Sequence, residues 1–136
     1  MKQEYETRGY KVFENGPVYY TQDMDRTIEW FETVLGWYGT VDARNAKGKA
    51  IFAGIAPIPN EITEKEKLTY IGLSLFLGEP SQGVAAYIVV DNARQVYEYI
   101  MRSGWREVSK VVEQPWGGLE FTVKTIDGSI LRITSY

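Results

Sequence analysis

"DMDRTIEWFETVLGW" (Asp23–Trp37) returns sixty-eight residues later as "DNARQVYEYIMRSGW" (Asp91–Trp105). Each copy has Asp first, Arg fourth and Gly-Trp last. Each reads as a helix preceded by a strand. Asp23 and Asp91 stand where an N-cap belongs, just ahead of the first apolar-periodic residue. Met24, Ile28, Phe31 and Leu35 share one helical face in the first copy. Val96, Ile100 and Met101 do so in the second, with Tyr97 or Tyr99 beside them. Gly36 and Gly104 suit the left-handed position just past a helix end. Trp37 and Trp105 then open the next strand and pack back onto the helix. A scaffold built twice would keep such boundary residues, so the repeat by itself speaks of structure.

The repeat extends in both directions. Upstream, Tyr19 in "PVYYT" matches Tyr87 in "AAYIV" at the same offset. Downstream, "WYGTVDAR", "KAIFAGIA" and "LTYIGLSLFL" follow the first helix; "REVSKVVE", "LEFTVKT" and "SILRITSY" follow the second. The chain thus parses as strand-helix-strand-strand-strand, twice. Module one covers about 16–79 and module two about 83–136, joined at "GEPSQG" (Gly78–Gly83). Residues 1–15 stand outside the repeat, with "YKVFE" as a possible extra strand. The charged insert "PNEITEKEKL" (Pro59–Leu68) is expected to be a solvated loop.

Two such units cannot each bury a sheet face alone, and pairing them solves this. Alternation marks the faces. Leu131 and Ile133 oppose Ser129, Arg132 and Thr134. Leu119, Phe121 and Val123 oppose Glu120, Thr122 and Lys124. Ile71, Leu73, Leu75 and Leu77 oppose Tyr70, Gly72, Ser74 and Phe76. One face goes under the helices; the other is mixed polar and aromatic, as a solvent-accessible binding surface reads.

With 136 residues, the chain is expected to form a single domain that buries roughly 65–70% of its unfolded surface. At 44% apolar and 24% charged it has the composition of an ordinary globule. Its net charge of −3 argues against a nucleic-acid partner, whose binders carry a basic stripe. The longest apolar run, "VAAYIVV" (Val84–Val90), falls far short of the roughly 20 residues of a membrane span. The polar start "MKQEYETRGYK" lacks a signal peptide's apolar core, so a cytoplasmic location is expected. The chain has no Cys, which excludes disulfides, thiolate catalysis and Cys-ligated zinc. It has no His, which removes the commonest general base, the commonest metal ligand and His-dependent serine triads. Neither Gly-rich phosphate-binding motif is present.

Residues 16–136 resemble the glyoxalase / bleomycin-resistance / dioxygenase superfamily, also called vicinal oxygen chelate proteins. The resemblance rests on "YYTQDMDRTIEWFETVLGW", on the half-length repeat, and on the terminal "QPWGGLEFTVKTIDGSILRI" with its Asp127-Gly128 turn. It implies an α+β fold: two βαβββ modules forming a cup-shaped curled mixed sheet with helices on the outer face, within a homodimer. The repeated frame would then build one wall of the cup per copy.

Members that are enzymes hold a divalent metal in the cup on His, Glu or Gln. Carried over, those positions fall on Gly16, Val84, Arg132 and a residue near Gly72 or Ser74. These cannot assemble a first-row metal site, so no metal and no cofactor are expected. The branch that resembles bleomycin-resistance proteins uses the cup as an aromatic-lined receptacle. On that reading Tyr20, Tyr70, Phe76 and Trp116 form the aromatic wall, and Glu120 and Arg132 line the cup on neighbouring strands. Aromatic faces stack on planar ligands and hold cations, at about 0.5–2 kcal/mol per contact.

Three functions stay open, in descending order. The first is a metal-free dimer that sequesters or senses a small, partly aromatic molecule. The second is a glyoxalase-related lyase, isomerase or dioxygenase with non-standard metal ligands or no metal, with Glu120 as the candidate base and Arg132 as an oxyanion stabiliser. The third is a subunit whose cup receives a peptide or partner protein.

Overall fold

The structure is a computed structural model, and it describes residues 9–11 and 13–136. The elements run β1 (Val18–Thr21), α1 (Met24–Trp30) continuing into a π-helical turn (Phe31–Leu35), β2 (Tyr38–Arg44), β3 (Ala50–Ala56), α2 (Asn60–Lys65) and β4 (Leu73–Leu77). They continue with β5 (Val84–Val89), α3 (Ala93–Ser103), β6 (Val112–Glu113), β7 (Leu119–Lys124) and β8 (Ile130–Ser135). Two four-stranded sheets result, in the orders β1-β4-β3-β2 and β5-β8-β7-β6. β1 pairs in parallel with β4, and β5 with β8, while the remaining pairs are antiparallel. Both sheets are open and have the same topology. This is the expected α+β arrangement of two βαβββ units.

The helices explain the shared core. α1 lies on β3 and β4, α3 lies on β7 and β8, and the π turn meets α3. Met24, Ile28 and Phe31 of the predicted face are buried with Tyr19, Ile55 and Leu75. From the other half come Ile100, Phe121, Val123, Leu131 and Ile133, in one continuous cluster. The two tryptophans after the helices pack back as expected. Trp37 lies 5.8 Å from Phe31, and Trp105 meets Trp30 edge-on at 5.5 Å while its indole N–H donates to the Lys124 carbonyl. Tyr97, rather than Tyr99, turns inward, edge-on to Phe121 at 5.5 Å.

The repeat is less regular than its letters. Asp23 caps α1, accepting from the Arg26 N–H. In the second copy the cap is Asn92, one residue past Asp91, and it accepts from the Gln95 N–H. Gly36 and Gly104 both end their helices at positive φ, 72° and 92°. The first copy therefore has one residue more between cap and glycine, and the π turn takes it up. Upstream of the helices the true offset is one greater than sixty-eight. A one-residue slip moves a strand residue to the opposite face. Tyr19 is accordingly buried in the core, whereas Tyr87 stands on the open face, 52% exposed. They are not structural counterparts; Tyr19 and Ile88 are, both on core faces.

Other expectations also shift. The insert Pro59–Leu68 is not loop throughout: it contains α2, a short helix with no buried residue. Ile71 is exposed rather than core, because β4 begins only at Leu73. "REVSKVVE" contributes just β6 and an isolated bridge from Val108 to Val123. Of "YKVFE", Val12 lies outside the described residues, and its other residues are not in strand. Among the described residues no helix is long and apolar enough to cross a membrane.

A buried polar cluster ties the halves together. The Asp127 carboxylate accepts from the hydroxyls of Tyr19 (2.6 Å), Thr21 (2.8 Å) and Thr27 (2.7 Å), and from Arg26 at 3.3 Å. Tyr19 also bonds Thr125 at 2.7 Å. Burial, followed by the hydrogen bond to Asp127, raises the Tyr19 pKa, so the phenol stays protonated as a donor. Asp127 sits on the turn between β7 and β8, and its donors come from β1 and α1, about a hundred positions earlier in the chain.

Candidate functional site

The helix-free faces of the sheets carry the predicted site residues, in two groups. On the first sheet, Tyr20, Phe76 and Phe52 stand at paired positions across β1, β4 and β3. The Phe52 and Phe76 rings lie 4.9 Å apart, tilted by 31°. Tyr70 precedes β4 and folds over β3. A Cβ on Gly54 would come within 2.9 Å of its hydroxyl oxygen, and one on Gly72 would strike that oxygen outright. Both glycines therefore leave the space that Tyr70 fills. Tyr20, Tyr70 and Phe76 are 45%, 41% and 39% exposed, unlike the core aromatics. A cavity of about 340 Å³ opens here, lined by Phe52, Tyr70, Gly54 and Ser74 and rimmed by polar groups from β2, α2 and the segment before β1.

On the second sheet, Glu120 and Arg132 stand diagonally across β7 and β8. Glu120 is 5% exposed, against the expectation for a lone carboxylate on a polar face. It is buried because donors surround it: Arg132 at 3.0 Å, Gln114 at 2.9 Å and Thr134 at 2.8 Å. Burial works to raise its pKa, but the hydrogen bonds from Thr134, Arg132 and Gln114 outweigh this, and the net direction is down. Trp116 is 60% exposed at the tip of the β6–β7 turn, which closes through the Gln114 N–H to the Gly118 carbonyl. Gly117 there has φ of 102°, a conformation that favours glycine. Tyr87 and Tyr136 bond through their hydroxyls on the same exposed face, which raises the Tyr136 pKa.

Tyr20, Tyr70 and Phe76 thus share one sheet, while Trp116, Glu120 and Arg132 share the other. Sequence reasoning missed Phe52, Tyr87, Gln114 and Thr134. Parity along "KAIFAGIA" could have placed Phe52 beside Gly54; Tyr87 needed the one-residue helix difference, which the letters conceal.

The positions that the resemblance carries over as metal ligands do not suit a metal here. Gly16 has no side chain, neither Val84 nor Ala85 (the counterpart of Gly16 once the extra residue of the first helix is counted) has a donor, and Arg132 is a cation already paired with Glu120. Of Gly72 and Ser74, a side chain at Gly72 would strike Tyr70 and the Ile55 carbonyl, 2.6 Å from its Cβ, and Ser74 offers only a neutral hydroxyl. Among the described residues no group of three or more acidic side chains is placed to hold a metal ion.

The Glu120 pKa sets a pH prediction. A lowered folded-state pKa contributes stability above the unfolded value, and this is lost as pH falls through the folded one. The stability difference between wild type and Glu120→Gln should be constant around neutral pH. It should shift against wild type below the ordinary value of 4.5. Urea melts at several pH values check this; a pH-independent difference would contradict the ion pair.

Two curled βαβββ units bearing an aromatic face and a tied carboxylate define a cup-type α+β protein. Comparison with known proteins specifies it further. The bleomycin resistance protein domain model matches residues 16–78. A glyoxalase-related enzyme from Clostridium phytofermentans is 40% identical, with 94% of this chain and 98% of that one covered, at a TM-score of 0.88. This chain belongs to the glyoxalase/bleomycin-resistance/dioxygenase superfamily. The same fold is seen in a bleomycin-binding protein complexed with bleomycin (17% identity, 92% and 99% covered, TM-score 0.66). It is seen again in a superfamily member from Sphaerobacter thermophilus (13% identity, 93% and 98% covered, TM-score 0.71). No curated protein gives a significant match.

Proposed function

We propose that this protein is a metal-free receptacle of the bleomycin-resistance type, which binds a small, partly aromatic molecule on the cup faces of its two sheets. The ladder of Tyr20, Phe76 and Phe52, with Tyr70 beside it, carries this reading. Tyr20, Phe76 and Tyr70 are left exposed, and Tyr70 and the half-buried Phe52 line a cavity, when the same chain buries Tyr19, Phe31 and Phe121 completely. Structural likeness to a protein complexed with bleomycin is consistent with it. The pairing of Arg132 with Glu120 leaves the second wall nearly neutral, which favours flat, weakly charged groups there. In this reading the protein acts as a cytoplasmic homodimer, and it sequesters its ligand or confers resistance to it.

The relative that is 40% identical is described as an enzyme, and this favours a second reading: a related lyase, isomerase or dioxygenase. Against it, a carboxylate with a lowered pKa and three donors is a weak base. A panel of planar aromatic compounds titrated against tryptophan fluorescence, on dialysed protein of measured metal content and sedimentation state, separates the two. Saturable quenching of a metal-free dimer without turnover is expected. One tightly held transition metal per chain, or turnover of a panel compound, would favour the enzyme.

A further inference from the structure

The cavity on the first sheet has a charge pattern of its own. Glu14, Asp42 and Glu64 stand around it with the neutral Thr40, Asn60, Thr63 and Ser74, and among the described residues no Lys or Arg lines it. The carboxylates come from three places: the segment before β1, strand β2 and helix α2. Among the described residues none of the three forms an ion pair. They are arranged around an aromatic floor rather than gathered on one point, and they do not form a metal-binding group. Burial, then the negative charges of Asp42 and Glu14, raises the Tyr70 pKa, so the field of both acids reaches the ring. An aromatic face within a ring of unpaired carboxylates attracts an organic cation twice, through the ring quadrupole and through charge.

We infer that the first-sheet cavity selects a positively charged organic ligand, an aromatic or quaternary ammonium ion, held against Tyr70 and Phe52 within the field of Glu14, Asp42 and Glu64. The inference rests on the receptacle reading above and adds the ligand's charge. It also gives a role to two segments outside the repeat: residues before β1 supply Glu14, and the insert supplies Asn60, Thr63 and Glu64.

The test compares two probes of one shape at pH 7.5, 10-methylacridinium, a permanent cation, and acridine, which is neutral there. The wild type should bind the cation about ten-fold more tightly or better, less so as salt rises. The double variant Glu14→Gln/Asp42→Asn should bring that ratio close to one. Because the protein is acidic overall, Glu32→Gln/Glu98→Gln on the helices serves as the control for net charge and should keep the ratio. Equal affinity for both probes, with acridine binding weakened in Tyr70→Leu, would overturn the cation inference and leave the receptacle standing. A ratio lowered equally by the helix variant would overturn it as well, since the attraction would then be general. Failure to bind either probe would remove the inference together with its support for the cavity.

Discussion

Asp127→Ala is expected to lower the melting temperature by roughly 10–20 °C, the largest effect of any polar substitution in this chain. The carboxylate is 1% exposed and accepts from Tyr19, Thr21, Thr27 and Arg26. Hydrogen bonds to a buried charge contribute more than neutral ones, and removing the acceptor leaves desolvated hydroxyls behind, for a total of about 3–5 kcal/mol. Tyr19 and Thr125 can still bond each other, and Thr27 can still reach the Asp23 carbonyl, which limits the loss. Arg26 is half exposed, and its 3.3 Å contact contributes little. Because the donors lie on β1 and α1 and the acceptor between β7 and β8, the loss falls on the association of the two halves. Asp127→Asn, which keeps one carbonyl acceptor, should lie between. Thermal melts decide the matter: a loss below about 1 kcal/mol would mean the cluster does not clamp the halves.

Trp116→Ala is expected to change the melting temperature little, by about 0.5 kcal/mol or less in stability, as for an exposed side chain. It should weaken a bound planar ligand by about 1–3 kcal/mol, some 5- to 150-fold in Kd, if the ring is an anchor. The two measurements differ because Trp116 is 60% exposed at a turn tip, so truncation opens no cavity. A core tryptophan would behave in the opposite way: truncating Trp30, 4% exposed, should cost about 3–5 kcal/mol. Calorimetric titration beside a melt separates the cases. A collapsed melt for Trp116→Ala, with wild-type fluorescence unchanged by any ligand, would make the ring structural.

The same contrast separates what could be read in the letters from what could not. Local rules reach along a helix or strand. Asp23 and Gly36 bracket a helix because a cap must satisfy free N–H groups and an end must accept positive φ. Leu73, Leu75, Phe121, Val123, Leu131 and Ile133 are buried because alternation puts them on one face. The doubled frame then requires two like units, and the sheets bear out that topology.

The π turn, by contrast, arises from one extra residue between cap and glycine, which no local periodicity announces. It decides that Tyr19 is core and Tyr87 surface. Glu120 could not be read as buried, because its donors Gln114, Thr134 and Arg132 assemble only when β6, β7 and β8 lie together. Phe52, Phe76 and Tyr20 form a ladder only through strand register. Asp127 was visible as half of an Asp-Gly turn, but its partners are a hundred residues away, and only the packed halves reveal it as the joint between them. The sequence alone determined the two long helices and the inward faces of β4, β7 and β8, because caps, turns and alternation act over a few residues. The charges, rings and clamps of the site depend on groups distant in the chain, and only the tertiary structure decided which of them meet.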